Sequence, residues 1–388
     1  MKRKILILAT WYPSAASPVN GIFIHDQAVA LSREYDVAVL APRLVGWREM
    51  LQGKLDSEPQ WEQRNGLVVC RERAISPLPR APRLMYWRYR AATERGFNKL
   101  LAQWGKPDLI HAHVVLPGGW AAACLGKRHS IPVVLHEHSS PFAMHLTGAL
   151  QRHRVEETLS QVDRIIAVSP ALARQIQQFY NKTEICVIGN LIKTDFFVLK
   201  QNHAPKADTH FISIALLSKQ KGLRYLLQAA QLLVQRGVTS FDITIGGDGP
   251  ERAPLENMVQ ELGLADRCRF LGLLTPIEVR DRIQQSDVMV MPSLHETFCI
   301  VLGEAMACGK PVIATRCGGP EFVVTPETGV LVEVADPQAL ANAMGDFILG
   351  KIKFNSQRVR QSVVERFGEE AFLRQISAVY EQVWSKPR

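Results

Sequence analysis

Short apolar runs alternate with longer mixed segments along the whole chain. In the first half the runs are KILILAT, DVAVLAP, DLIHAHVV, PVVLHEH, RIIAVS and EICVIGN, and in the second FISIAL, FDITIGG, RCRFLG, DVMVMPS, KPVIATR and GVLVE. β-branched runs without polar alternation read as strands buried on both faces, and helical spacers between them predict parallel βαβ crossovers. Each half therefore reads as its own doubly wound α/β sheet. The predicted joint is GNLIKTDFFVLKQNHAPKADTH, which is polar, contains proline and has no sustained periodicity. Two such domains are expected to leave a cleft between the carboxyl ends of their sheets, where ligands bind.

The length of 388 residues agrees with two cores rather than one, and 47% hydrophobic with 21% charged residues excludes a disordered chain. The start, MKRKILILATWYPSAAS, imitates a secretory signal. Its apolar run ends after residues 5–9, before Thr10, Trp11, Tyr12 and Pro13, which fits a first buried strand better. With no run of about 18 apolar residues elsewhere, a cytoplasmic protein is expected. The seven cysteines (Cys70, Cys124, Cys186, Cys268, Cys299, Cys308 and Cys317) are scattered, without a C-x-x-C pair, and read as buried free thiols.

Charge is distributed unevenly. Residues 1–195 hold 25 Lys+Arg against 16 Asp+Glu, and residues 196–388 hold 21 against 21, so the whole excess of +9 lies in the first half. It peaks in RAPRLMYWRYRAATERGFNKLLAQWGK, where Arg80, Arg83, Arg88, Arg90, Arg95 and Lys99 alternate with Tyr86, Trp87, Tyr89, Phe97, Leu100, Leu101 and Trp104. This mixture suits a helix lying on an anionic membrane surface. It equally suits a solvated basic face over aromatics in the core, and pattern alone does not rotate the helix.

The segment HETFCIVLGEAMACGKPVIATRCGGPEFV keeps two glutamates, Glu296 and Glu304, on an apolar background. Residues 293–297 read as a loop after the strand DVMVMPS, and residues 298–307 as a helix closed by Gly309, with Glu304 about two turns inside it. A helix opening at the carboxyl end of a parallel strand presents the free amides of Cys299, Ile300 and Val301, a setting for a phosphate or diphosphate. Glu296 would then meet the group that the diphosphate carries, and Glu304 could accept from ribose hydroxyls. Read in isolation, the pair is better explained as a helix-terminal charge and one exposed glutamate.

ETFCIVLGE with AMACGKPVIATRCGG resembles the E-x7-E signature of the retaining, nucleotide-sugar-dependent glycosyltransferases of family 4, which have the GT-B fold of two Rossmann-like domains. WYPSAASPVNGIFIHDQAVALS, DLIHAH, HEHSS, VDRIIAVS, VIGN, KQKG, GGDGPER, RFLG and TGVLV follow in the family's order, over nearly the whole chain. The resemblance implies an acceptor-binding domain at 1–190, a nucleotide-sugar domain at 191–370 and a C-terminal helix at 371–388 returning to the first. It implies that Glu296 contacts the donor sugar, that Glu304 holds the ribose, and that amides near Ile300 and Val301, with Phe298 and Cys299 beside them, hold the diphosphate together with Lys221. Gly21 would let backbone approach the diphosphate, and His138 of HEHSS would line the reaction centre. Lys219, Gly272 and Leu273 are further donor-side positions, and Arg83, Trp87, Arg88 and Arg90 belong to the acceptor or membrane side. A lysine, a helix terminus and loop amides can stabilise a departing nucleoside diphosphate without metal or cofactor. Retention in such enzymes lets the leaving phosphate accept the acceptor's proton, so no dedicated base is needed.

The implied activity is transfer of a sugar from a UDP- or GDP-sugar to a glycan or lipid-linked acceptor in bacterial surface polysaccharide synthesis, peripherally on the inner face of the membrane and without nucleic acid. Three departures bear on the donor. Leu216 stands where the family places arginine, with Lys219 or Arg224 as substitutes. Cys299 replaces the usual glycine, and NLIK, Asn190 to Lys193, replaces N-G-V-D.

The histidines of HAH and HEH, His111, His113, His136 and His138, have a spacing that metals use, but cleft lining and core packing are the expected roles. GGDGPE fails the dinucleotide fingerprint because Arg252 occupies its sixth position, and it reads as a strand-to-helix turn. Gly318-Gly319 is a turn that could also offer backbone to a ligand. Two other classes stay open beside transfer: a nucleotide-sugar 2-epimerase of similar architecture, disfavoured by the paired glutamates, and a non-catalytic nucleotide-sugar binder, supported only by Leu216.

Overall fold

The computed structural model describes residues 2–14, 17, 19–46, 60–76, 81–200 and 208–386. Arg80 and part of the predicted joint, 201–207, lie outside the described residues. The chain divides into two compact units, one of residues 1–168, 172–191 and 372–388, the other of residues 169–171 and 192–371.

The first unit runs β1 (Lys4–Ala9), α1 (Ile22–Leu31), β2 (Asp36–Gly46), β3 (Trp61–Arg64), β4 (Leu67–Ser76), α2 (Pro82–Gln103), β5 (Leu109–His113), α3 (Trp120–His129), β6 (Val133–Glu137), α4 (Ala149–Gln161), β7 (Arg164–Ala167), α5 (Pro170–Phe179) and β8 (Ile185–Val187). The strands form one sheet in the order β3-β4-β2-β1-β5-β6-β7-β8, parallel throughout except for the β3–β4 pair. The first-half apolar runs coincide with β1, β2, β5, β6, β7 and β8, because strands covered on both faces must be apolar at every position. β3 and β4 were not predicted. They form an edge hairpin turning at Asn65-Gly66, both residues at positive φ (53° and 77°), so the N-G dipeptide was the available signal.

The second unit runs β9 (Thr209–Ile214), α6 (Leu223–Gln235), β10 (Phe241–Gly246), α7 (Arg252–Glu261), β11 (Cys268–Gly272), α8 (Pro276–Gln285), β12 (Val288–Met291), α9 (Ile300–Ala307), β13 (Val312–Thr315), α10 (Pro320–Val323), β14 (Gly329–Val332), α11 (Pro337–Ile348) and α12 (Ser356–Phe367). Its six-stranded parallel sheet has the order β11-β10-β9-β12-β13-β14, and all six strands lie on the apolar runs of the second half. The order reverses between β9 and β12, which leaves the loops after these neighbours side by side at the carboxyl edge, the ligand position of an open α/β sheet.

The last helix, α13 (Glu369–Trp384), supplies Phe372, Leu373, Ile376, Val379, Tyr380 and Val383 to the core of the first unit. Among the described residues no helix is long and apolar enough to cross a membrane. All seven cysteines are free thiols, four of them buried and three half-buried.

Candidate active site

The site in the second unit is built from two loops stitched together. After β9 the chain makes a short 3-10 turn, Lys219–Lys221, and enters α6 through Gly222 at φ +64°. A Cβ on Gly222 would lie 2.0 Å from the Pro292 carbonyl oxygen, so only glycine lets this loop press against the one after β12. The Leu294 amide donates to the Gln220 carbonyl at 2.8 Å, and the Gln220 side-chain amide donates to the His295 carbonyl at 3.2 Å.

These contacts bring Lys221 and Glu296 together. The Lys221 Nζ donates to Glu296 Oε1 at 2.7 Å, and the Ser293 hydroxyl donates to the same oxygen at 2.9 Å. The Glu296 side chain is 8% exposed and that of Lys221 24%. Burial alone would pull Lys221 down, but the Glu296 carboxylate outweighs it and holds the ammonium above its ordinary value. The Lys221 ammonium therefore stays charged at neutral pH, pinned against Glu296 at the switch point of the sheet. From the other side the Gly319 amide donates to the Glu296 carbonyl at 2.8 Å, so the Gly318-Gly319 turn braces the glutamate's backbone.

Helix α9 begins at Ile300, two residues later than the pattern predicts. Cys299 is its N-cap at φ +72° and ψ +71°, a left-handed conformation that unwinds the start. Glu304 consequently lies little more than one turn into the helix, not two, and is half-buried. As the first helical residues, Ile300 and Val301 have no carbonyl one turn back to accept from their amides, which remain available to an anion. Phe298 is only 1% exposed and packs edge-on against Phe367, with ring centroids 5.1 Å apart, so it supports the loop from the core. Burial pushes the Cys299 thiol well up, Glu296 adds to this and Lys221 opposes it, leaving the thiol protonated at neutral pH.

Gly272 ends β11 and Leu273 follows it at the same carboxyl edge, two strands from β9. Leu273 is 77% exposed, and Leu216, in the arginine position, is 64% exposed. Lys219 and Arg224 are exposed on the Lys221 loop and its helix. Arg252, read from the sequence only as the residue that breaks the dinucleotide fingerprint, sits 3.2 Å from the position of a Cβ on Gly272 and is paired with Asp248 and Glu256.

His138, Gly21, Arg83, Trp87, Arg88 and Arg90 belong to the first unit. His138 is 7% exposed, its Nε2 lies 2.9 Å from His113 Nδ1, and its ring meets that of Phe23 at 4.8 Å. Burial, reinforced by His136 and His111, holds it well below the ordinary histidine range against the opposing hydrogen bond of Asn190, so it acts as a neutral imidazole. The loop that carries it is organised by Glu137, which sequence reasoning missed. This buried carboxylate accepts from the amides of Val115 at 2.6 Å, His138 at 2.9 Å and Ser139 at 2.7 Å. An acid between two histidines inside an apolar run was the available signal. Gly21 is the N-cap of α1 at φ +72°, where a Cβ would come within 2.4 Å of the Trp11 carbonyl oxygen. Its own loop therefore requires glycine before any ligand does.

In α2, Tyr86, Tyr89, Phe97 and Leu100 are buried, while Trp87 is 57% exposed. Arg83 is exposed, Arg88 donates to the Ile75 carbonyl at 2.7 Å, and Arg90 lies 3.7 Å from Glu94. Most of the aromatics are thus core, leaving one outward tryptophan among arginines.

Two family models divide the chain: Glycosyltransferase Family 4 matches residues 21–196, and Glycosyl transferases group 1 matches residues 195–362. The chain belongs to glycosyltransferase family 4. Among its relatives, the family 4 chain is 28% identical over 298 residues to N-acetyl-alpha-D-glucosaminyl L-malate synthase of Bacillus anthracis, covering 73% of this chain and 77% of that protein. It is 27% identical over 361 residues to TuaC of Bacillus subtilis, a glycosyltransferase named for teichuronic acid biosynthesis, covering 88% of each. Among solved structures it matches sucrose-phosphate synthase from Thermosynechococcus elongatus with a TM-score of 0.80 at 22% identity, over 99% of this chain and 100% of that one. It matches Anabaena HepE in complex with UDP-glucose with a TM-score of 0.73 at 19% identity, over 98% of this chain and 100% of that one. The family 4 glycosyltransferase described here therefore has the GT-B fold.

Proposed function

We propose that this family 4 glycosyltransferase moves a hexosyl group from a UDP- or GDP-sugar to a glycan or lipid-linked acceptor, with retention at the anomeric carbon and without a metal at the donor. The observation that carries the reading is the Lys221–Glu296 pair, 2.7 Å long, beside the open first turn of α9. The ammonium and the amides of Ile300 and Val301 meet the diphosphate, and Glu296 turns to the sugar that the diphosphate brings. As the glycosidic bond breaks, negative charge grows on the leaving phosphate where fixed positive potential already stands. Positive charge grows on the sugar ring opposite a carboxylate. Glu304, one turn further into α9, takes the ribose, and neutral His138 contributes a hydrogen bond near the sugar rather than a charge.

The acceptor is assigned to the first unit. There a cavity of roughly 150 Å³ is lined by Thr10, Tyr12, Asn20, Arg43, Arg71 and Arg73, a set suited to hydroxyl-rich or anionic glycans. The uridine donor is supported by HepE in complex with UDP-glucose, and a polysaccharide product by the naming of TuaC.

The test is incubation of the purified chain with UDP- and GDP-hexoses, with and without lipid-linked glycan acceptors, following nucleotide release and the anomeric configuration of the product. Acceptor-dependent release with retained configuration is expected. Isomerised free sugar, or saturable donor binding without turnover on any acceptor, would replace this reading with the epimerase or the binder.

A further inference from the structure

The imidazoles beside His138 have an arrangement that catalysis at the donor site does not use. His111 and His113 share one face of β5, as residues two apart on a strand must, and His113 lies directly opposite His136 of β6. All three are fully buried, with ring centroids 4.5 Å (His111 to His113), 5.6 Å (His111 to His136) and 5.6 Å (His113 to His136) apart. One nitrogen from each ring lies within 4.8 Å of the other two.

The hydrogen bonds divide each ring into an engaged nitrogen and a bare one. His111 Nδ1 meets the Tyr380 hydroxyl at 2.6 Å, His113 Nδ1 meets His138 Nε2 at 2.9 Å, and His136 Nε2 meets the Ile188 carbonyl at 3.4 Å. The opposite nitrogens, His111 Nε2, His113 Nε2 and His136 Nδ1, are buried without a partner among the described residues. A buried polar atom left bare is costly, and three in one cluster call for a common occupant. A metal-ligating histidine has this division, one nitrogen on the ion and the other fixed by an outer hydrogen bond.

We propose that His111, His113 and His136 form a three-imidazole site for a divalent transition-metal ion of the zinc class, within the first unit and separate from the donor site. Imidazole nitrogens suit zinc, cobalt, nickel or copper. Magnesium, calcium and manganese want the oxygen ligands that this cluster lacks, since the carboxylate of Glu137 is engaged by three backbone amides. Metal–nitrogen distances of about 2.0–2.1 Å in a tetrahedral site need nitrogens roughly 3.4 Å apart. The rings stack at 8° to 30°, so their in-plane lone pairs run nearly parallel, and binding an ion requires the rings to turn about χ2 until these converge. A metal on His113 Nε2 leaves its proton on Nδ1 and makes His113 the donor to His138 Nε2. That consequence rests on the role proposed for His138, whereas the metal site does not.

The test is titration of the untagged full-length chain, stripped with chelator, with Co²⁺ and then Zn²⁺, following cobalt absorption, bound metal per chain and the melting temperature. One cobalt per chain with the strong visible absorption of low coordination, displaced by zinc and unaffected by magnesium, is expected. His136→Gln should abolish the signal, exposed His153→Gln should leave it intact, and Tyr380→Phe, which keeps the packing and loses an outer hydrogen bond, should weaken affinity about tenfold. Should His136→Gln fail to fold, wild-type stoichiometry and Tyr380→Phe decide the matter. A wild-type chain that binds no cobalt, or undiminished binding in the Gln variant, overturns the site and leaves buried water as the occupant.

Discussion

A carboxylate as buried as Glu296 persists because Lys221 and the Ser293 hydroxyl meet it. Glu296→Gln keeps the shape and removes the charge facing the sugar. Transfer should fall by about a hundredfold or more, while nucleoside diphosphate affinity stays within about tenfold, read by kcat and by calorimetric titration. Folding stability should drop by about 1–2 kcal/mol, because a partly buried ammonium loses its charged partner. Lys221 is raised above its ordinary value, so the pair's contribution is present below the unfolded pKa and lost only as pH rises through the folded one. The stability gap between wild type and variant should therefore stay flat from about pH 6 to about pH 9, and a gap that closes within this range would contradict the pairing. Cys299 isolates a backbone question at the same site. Cys299→Ala and Cys299→Gly both delete the thiol, but only glycine is at ease at φ +72°. The glycine variant should be the more stable of the two by about 0.5–1 kcal/mol in denaturant titration.

Elements were legible where burial makes a strand apolar throughout, and less so where local chemistry overrides periodicity. The twelve apolar runs became strands because both sheet faces are covered, whereas the edge strand β3, WEQR, carries no such run and was missed. The start of α9 was misplaced by two residues because Cys299 adopts a conformation that side chains rarely take. Glu296 and Lys221 could each be singled out from the family resemblance, but their pairing could not, since the contact spans 75 residues and depends on the packing of Gly222 against Pro292. Helix α2 shows the same limit. Its aromatics were visible, and their direction was set only by packing, which buries Tyr86, Tyr89 and Phe97 and leaves Trp87 outside. If this outer face touches an anionic membrane, Arg83→Ser, Arg88→Ser and Arg90→Ser combined should release the chain from phosphatidylglycerol vesicles, as raised salt should for wild type. Co-sedimentation measures this, and a wild-type chain that never sediments with such vesicles ends the membrane role of α2.

At the scale of the whole molecule, each unit has its own sheet and core, and every donor-binding group proposed apart from Gly21 and His138 is carried by the second. Binding energy that enters through Lys221 and the first turn of α9 must therefore appear first as protection of the loops after β9 and β12. A ligand at a hundred times its dissociation constant stabilises the state that binds it by about 2.7 kcal/mol, enough to slow local opening visibly. Hydrogen-exchange mass spectrometry with saturating UDP, then GDP, should show the largest slowing in residues 216–224 and 293–301, with the edge hairpin of β3 and β4 unchanged. Lys221→Met should remove that protection when each nucleotide-bound sample is compared with the variant's own ligand-free exchange, the comparison needed because the substitution also leaves Glu296 without its charged partner. Whichever nucleotide gives the larger effect identifies the base. Protection confined to the first unit, or absent with both nucleotides, would mean that the second unit is not where the donor binds.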